Sequence, residues 1–230
     1  MRIQSTHDLA ARGVDAYFSP PEAVQSLLRL EAEHLPRCIW EPAAGDGAIV
    51  GPLRQAGFEV IASDIADYGL PLCATGIDYL CATPPKGVGG VITNPPYRLA
   101  LPFARKAASE MPYVALLLRT NFLESVTRLP FFRQCPPARI WISSRRLPMM
   151  HRLGWQGPRA PSNTCFGWFI WDHRTDERCR VDWFDWRELQ GVGCAKQLLR
   201  TSQAQPGDWS SPEASAMESQ LTLFPPRGGG

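Results

Sequence analysis

The apolar residues of this chain change rhythm from one segment to the next. Val24, Leu27, Leu28 and Leu30 recur at helical spacing and predict a helix running to about His34. Ser19 stands where its cap belongs, prolines follow in the first turn, and Glu22 lies three residues beyond the cap. Short apolar blocks at 38–40 and 58–63 read as strands with a helix at 48–55 between them, and Val91 and Ile92 read as the end of another buried strand. Residues 1–16 carry little pattern. From about residue 201 the chain turns to Ser, Gln, Pro, Gly and Ala with few aliphatics and ends in three glycines. That composition predicts a disordered tail at 196–230 behind a domain spanning 17–195.

The chemistry sits where these strands end. The first runs into Glu41-Pro42-Ala43-Ala44-Gly45-Asp46-Gly47-Ala48. Its small residues and two glycines let the backbone pass close to a ligand, and the helix beginning near Ala48 aims its N-terminus there. This is not the GxGxxG dinucleotide pattern. The second strand ends in Asp64, 23 positions after Glu41, about the interval at which a βαβ unit sets an acid on a ribose. Asp78, in Gly76-Ile77-Asp78-Tyr79-Leu80, follows 14 positions later, and Asn94 comes 16 after that. Asn94 opens Asn94-Pro95-Pro96-Tyr97, where two prolines cannot continue a ladder, so the backbone leaves the sheet extended and stiffened. A rigid loop at a strand's carboxyl end lies where open α/β sheets bind ligands. Each feature alone also reads as a solvated loop or a Pro-rich turn. Their order points to a site.

Bulk composition narrows the classes. At 230 residues, 44% of them hydrophobic, the chain can bury the core of one α/β domain with a tail. A net charge of +2 means that any nucleic-acid surface is local. Only Lys86, Lys106 and Lys196 are lysines among 24 Lys and Arg, and arginine suits bidentate phosphate and base-edge contacts. The seven cysteines are scattered without a CxxC pair, which favours reduced thiols in a cytoplasm over disulfides or a metal. No signal segment is apparent, and no apolar run approaches the ~20 residues of a membrane span. A soluble, cytoplasmic protein is the expectation.

The motif from Glu41 to Gly47, Asp64, Asp78 and Asn94-Pro95-Pro96-Tyr97 resemble, in this order, the amino-methyltransferases that use S-adenosylmethionine. Tyr17-Phe18-Ser19-Pro20-Pro21-Glu22 is similar to the extra N-terminal cofactor motif of their adenine-N6 branch. The resemblance covers residues 15–175 and implies an α/β, Rossmann-like class I methyltransferase fold: a seven-stranded, mostly parallel sheet closed by a C-terminal hairpin. On that template 99–109 and 121–133 are helices, 113–118 is a buried fifth strand, and 138–142 and 165–171 are the hairpin strands. The aromatic-rich stretch 181–186 closes the domain. Residues 143–164, between the hairpin strands, are far too many for an ordinary turn. They hold Arg145, Arg146, His151, Arg152, Trp155 and Arg159. Basic and aromatic residues together favour a nucleic-acid contact over a plain solvated loop, and Arg145, Arg146, Arg152 and Trp155 are its candidates.

What the resemblance implies about function is methyl transfer from S-adenosylmethionine to the exocyclic N6 amine of adenine in DNA. RNA adenine and a protein glutamine amide are the alternatives. Asp64 would hold the cofactor's ribose hydroxyls and Asp78 its adenine amine. Glu41 and the Gly45 to Gly47 turn would lie near the methionine moiety, with Ser19 and Pro20 at its carboxylate. Tyr17, Pro42, Ala43, Ile65, Tyr79 and Asn94 complete the expected cofactor set. Asn94, Pro95, Pro96 and Tyr97 are the expected catalytic residues. Adenine's amine is a poor nucleophile because its lone pair is delocalised into the ring. The Asn94 Oδ1 and the Pro95 carbonyl can accept its two hydrogens and draw the nitrogen towards tetrahedral geometry, a preorganised electrostatic effect. Tyr97 would stack on the flipped base. Phe166 and Trp168 could pack there too but read as core. No Pro-Cys nucleophile appears, since Cys135-Pro136 is the reverse order. In the tail, Gln220-Leu221-Thr222-Leu223-Phe224 resembles the peptide by which bacterial replication and repair proteins dock on the DNA sliding clamp. Gln220 would bond at the pocket rim, and Leu221, Leu223 and Phe224 would fill an apolar groove at the end of a flexible tether.

Overall fold

The structure, a computed structural model, describes residues 19–148 and 164–190. Along the chain it has α1 (Pro21–Leu30), β1 (Cys38–Glu41), α2 (Val50–Gln55), β2 (Glu59–Ser63), β3 (Cys73–Ala74), β4 (Gly90–Thr93), α3 (Ala100–Glu110), β5 (Tyr113–Arg119), α4 (Leu129–Gln134), β6 (Arg139–Ser143), β7 (Phe166–Asp172) and β8 (Arg180–Phe184). The strands form one sheet in the order β3-β2-β1-β4-β5-β7-β6-β8. The first five run parallel, and β7 is antiparallel to both β5 and β6. This is the expected mostly parallel sheet with a C-terminal hairpin, but with eight strands among the described residues rather than seven. The addition is β8, which lies parallel to β6 at the sheet edge with Arg139 opposite Arg180 and Ser143 opposite Phe184. Its residues are mostly exposed, so it lacks the apolar block that reveals a buried strand.

Strand β5 shows how the core is laid out. All but its last residue are buried, and successive side chains point to opposite faces. Tyr113, Ala115 and Leu117 join Ile39, Ile92 and Trp168 in the core under α1 and α2. Val114, Leu116 and Leu118 join Val91, Phe103 and Phe169 in the core under α3 and α4. Covered on both faces, the strand reads as a continuous apolar run. At Gly90 a Cβ would lie 2.5 Å from the Tyr113 carbonyl oxygen, so only glycine lets β4 pair with β5 this closely.

Three local expectations need correction. Helix α1 is capped by the backbone of Pro20, whose carbonyl accepts from the Ala23 amide at 3.0 Å, and Ser19 makes no side-chain cap bond. The helix stops at Leu30 rather than His34, because Glu31 turns inward to a buried charge network described below. The single helix expected at 121–133 is a 3-10 turn at Thr120–Leu123, a loop, and α4. There Ser125 Oγ accepts from the Thr127 amide, and the Arg128 guanidinium donates to the Asn121, Phe122 and Glu124 carbonyls. Side chains that bond to nearby backbone in this way offer it an alternative to helix, and Pro130 then suits the first turn of α4.

The charge network joins α1 to the sheet. Glu31 is fully buried, and its carboxylate accepts from Arg139 Nε and Nη2 at 2.9 Å each, Tyr113 Oη at 3.1 Å and Trp141 Nε1 at 2.6 Å. Arg139 also donates to Asp172 at 3.0 Å and to Glu177 at 2.6 Å. Burial pushes the Asp172 carboxyl up, but hydrogen bonds from Arg174 and Arg139 outweigh it and hold the group at about 2.

Candidate functional site

Strand β1 is the point at which the sheet reverses direction of growth: β2 lies on one side of it and β4 on the other. Ligands of open α/β sheets bind at the carboxyl ends of the strands beside such a switch point. A cleft enclosing about 830 Å³, part of it open to solvent, occupies that place. Its wall comes from the turn after β1 (Pro42, Ala43, Ala44, Gly45, Asp46), the end of β2 (Asp64, Ile65), Asp78 and Tyr79, the loop Asn94, Pro95 and Pro96, and Ser19 before α1. Tyr68, Ile77, Leu99 and Phe103 also line it and were not legible as site residues, since nothing local distinguishes them from ordinary core or loop apolar groups.

Each acid has a defined setting. Asp64 Oδ2 accepts from the Gly45 amide at 2.9 Å and Oδ1 from the Ala66 amide at 3.0 Å, so this carboxylate clamps the glycine turn to the end of β2. Asp78 Oδ1 accepts from the Leu80 amide at 2.9 Å, and the Cys81 thiol lies 3.5 Å from Oδ2. Tyr79 is buried edge-on against Trp40 and tilted against Phe103. Gly47 is not on the cleft wall, yet its φ of +87° favours glycine, and a Cβ there would make the flexible Leu70 side chain shift. Pro20 likewise stands off the wall, in the cap of α1. Tyr17, Arg152, Trp155, Gln220, Leu221, Leu223 and Phe224 lie outside the described residues.

Glu41 is also behind the wall rather than on it. It is fully buried, with Oε1 accepting from the Ala43 amide at 3.2 Å, while its Oε2 and the Thr93 Oγ1 have no hydrogen-bond partner among the described residues. Burial pushes its carboxyl up to about 8 and nearby Asp64 adds to this; the Thr93 hydroxyl, close to the carboxyl though outside hydrogen-bond geometry, and the Ala43 amide oppose it. Between the unfolded value of 4.5 and about 8 the folded chain therefore holds a proton that the unfolded chain releases. Stability falls with rising pH through that window, by at most about 1.4 kcal/mol per pH unit. Glu41→Gln, which mimics the protonated acid, is expected to flatten this slope and to raise the urea midpoint at pH 8 far more than at pH 5. Parallel slopes for variant and wild type would show that Glu41 is ionised in the folded protein.

The Asn94 to Tyr97 loop splits between two environments. Asn94, Pro95 and Pro96 face the cleft, and a 3-10 turn at Tyr97–Leu99 begins directly after them. Tyr97 turns instead to the ends of β5 and β7. Its ring lies under the Arg119 guanidinium, 3.7 Å from Cζ to ring centroid, and 6.0 Å from the Phe166 ring at a 43° tilt. Trp168 is core, its Nε1 donating to the Ala23 carbonyl at 2.9 Å. Of the basic candidates, Arg145 is bound to Asp185 through Nε and Nη2, the latter at 2.6 Å, and the Arg146 carbonyl accepts from Trp186 Nε1 at 3.3 Å. Arg145 keeps its full charge, and the Asp185 carboxylate beside it partly offsets that charge locally.

No protein-family model and no curated protein matches the chain. Solved structures do, at low identity. A candidate RNA methyltransferase from Pyrococcus horikoshii matches with a TM-score of 0.52 and 13% identity, covering 68% of this chain and 87% of that one. The type I restriction-modification system methyltransferase subunit from Streptococcus thermophilus matches with a TM-score of 0.52 and 11% identity, covering 84% of this chain and 54% of that one. The modification subunit of a candidate type I restriction enzyme from Vibrio vulnificus YJ016 matches with a TM-score of 0.50 and 12% identity, covering 76% and 48%. The chain spans about half the length of these two subunits. The fold is that of the Rossmann-like class I methyltransferases.

Proposed function

We propose that this chain transfers a methyl group from S-adenosylmethionine to the N6 amine of adenine in DNA. The observation that carries the reading is the convergence of Asn94, Pro95 and Pro96 with Asp64 and Asp78 on one cleft at the switch point of the sheet. The residues present suit this cofactor. Asp64 and Asp78 offer acceptors for ribose hydroxyls and an adenine amine, and Tyr79 and Phe103 offer apolar surface. The cofactor supplies an electrophilic methyl group on a sulfonium. The chain's own part is to hold the amine: Asn94 Oδ1 and the Pro95 carbonyl accept its hydrogens, and the two prolines fix their directions in advance.

DNA is favoured because two of the structural neighbours are modification or methyltransferase subunits of restriction systems. RNA adenine is the second reading, favoured by the Pyrococcus neighbour. Incubation with methyl-labelled S-adenosylmethionine and DNA, RNA or protein in parallel tests both. N6-methyladenine in DNA is the expected product, and label confined to RNA or protein, or no transfer at all, overturns the proposal. Asp64→Asn is expected to weaken S-adenosylmethionine binding about tenfold or more, since hydrogen bonds to charged groups contribute about 1.5–3 kcal/mol. Wild-type affinity by calorimetry would remove Asp64 from the cofactor set.

A further inference from the structure

Tyr97 is the aromatic of the proposed catalytic loop, yet a cation already covers it. The Arg119 Cζ stands 3.7 Å from the centre of the ring, which is van der Waals contact, so no base can enter between the two groups as they stand. Arg119 is the last residue of β5, and its backbone is held on both sides. It pairs with Phe166 of β7, and the next residue, Thr120, donates to the Cys165 carbonyl at 3.0 Å. Phe166 is buried and touches Tyr97 from another direction. The backbone is thus fixed, while the side chain, only partly buried, is long enough to leave the ring without moving the sheet.

We infer that Arg119 is a gating residue: its guanidinium occupies the stacking face of Tyr97 until a flipped adenine displaces it. The inference rests on the methyl-transfer reading above. A guanidinium over a tyrosine and a base over a tyrosine draw on the same ring face and are of comparable strength. A base can therefore seat on that face only by displacing the guanidinium and replacing what it gains there. A displaced guanidinium at the mouth of the site remains a cation, and the phosphates flanking a flipped nucleotide are its natural acceptor. Arg119 would then act twice, shielding the empty platform and holding the strand once the base is seated.

Binding of fluorescent single-stranded oligo(dA), with the cofactor cleft filled by S-adenosylhomocysteine, tests this over a salt series. The proteins are wild type, Arg119→Leu, Tyr97→Leu and the double variant, each first shown to melt cooperatively. Arg119→Leu should lower the log–log salt slope by about one unit, the loss of one phosphate contact. At high salt, where that contact counts for little, the same variant should bind roughly two- to thirty-fold tighter, because the ring is uncovered. The tightening should vanish in the Tyr97→Leu background. Arg119→Lys should keep the slope. Weaker binding at every salt with an unchanged slope would mean that Arg119 merely props Tyr97 in place. High-salt tightening that persists without Tyr97 would remove the competition. Either result overturns the inference, as does failure of wild type to bind oligo(dA), while methyl transfer to DNA by wild type leaves the substrate reading intact in each case.

Discussion

Asn94→Ala is expected to lower methyl transfer by about 10²–10³ while leaving the fold and the affinity for S-adenosylmethionine close to wild type. Asn94 lies on the cleft wall beside two prolines, directly after β4, a strand buried on both faces. Its backbone position is therefore set by the sheet and by the stiff Pro95-Pro96 segment rather than by its own side chain. The Oδ1 acceptor contributes most as the amine nitrogen gains charge in the transition state. Its loss should accordingly appear in single-turnover rate rather than in binding. A variant that turns over at the wild-type rate would take Asn94 out of the chemistry.

Arg139→Ala is expected to destabilise the fold by about 3–5 kcal/mol, because it strands Glu31 as a buried carboxylate without a cation and leaves Asp172 with Arg174 alone. All but about 2% of the Arg139 side chain is inaccessible to solvent, and its guanidinium bonds to Glu31, Asp172 and Glu177. Screening by water is therefore slight, unlike at the exposed pair of Arg37 and Glu59. Urea unfolding with a shared m-value measures the effect. A midpoint unchanged from wild type would show that the two acids take up protons or water without cost. Activity per folded molecule should be preserved, since no member of the network lies on the cleft wall.

The parts of the site that could be read in advance are local in sequence. The prolines after Asn94 stiffen their own loop, and the glycine turn needs only its own residues to pass close to a ligand. The acids at 64 and 78 are each placed by the strand or turn immediately around them. Strands β1 and β2 were legible for the same reason, as short apolar blocks, while β5 and β7 were placed by the template that the family resemblance implies. The helix that the template implied at 121–133 is interrupted because Ser125 and Arg128 bond to the backbone there.

The sequence by itself determined the order of the Glu41 to Gly47 turn, Asp64, Asp78 and the Asn94 to Tyr97 loop, and the stiffness of that loop, while the family resemblance of these motifs implied the class of sheet. The tertiary structure alone decided that Ser19 makes no cap bond to α1, that Arg145 is bound to Asp185, and that β8 extends the sheet. It also decided that Glu31 meets Arg139 across 108 positions and that Arg119 lies on Tyr97. The physical reason is the same in each case. Helical periodicity, strand blocks and turn chemistry arise from neighbours along the chain. Which charged or aromatic side chain meets which depends on strand order and register, and these emerge only when distant segments bury their apolar faces together.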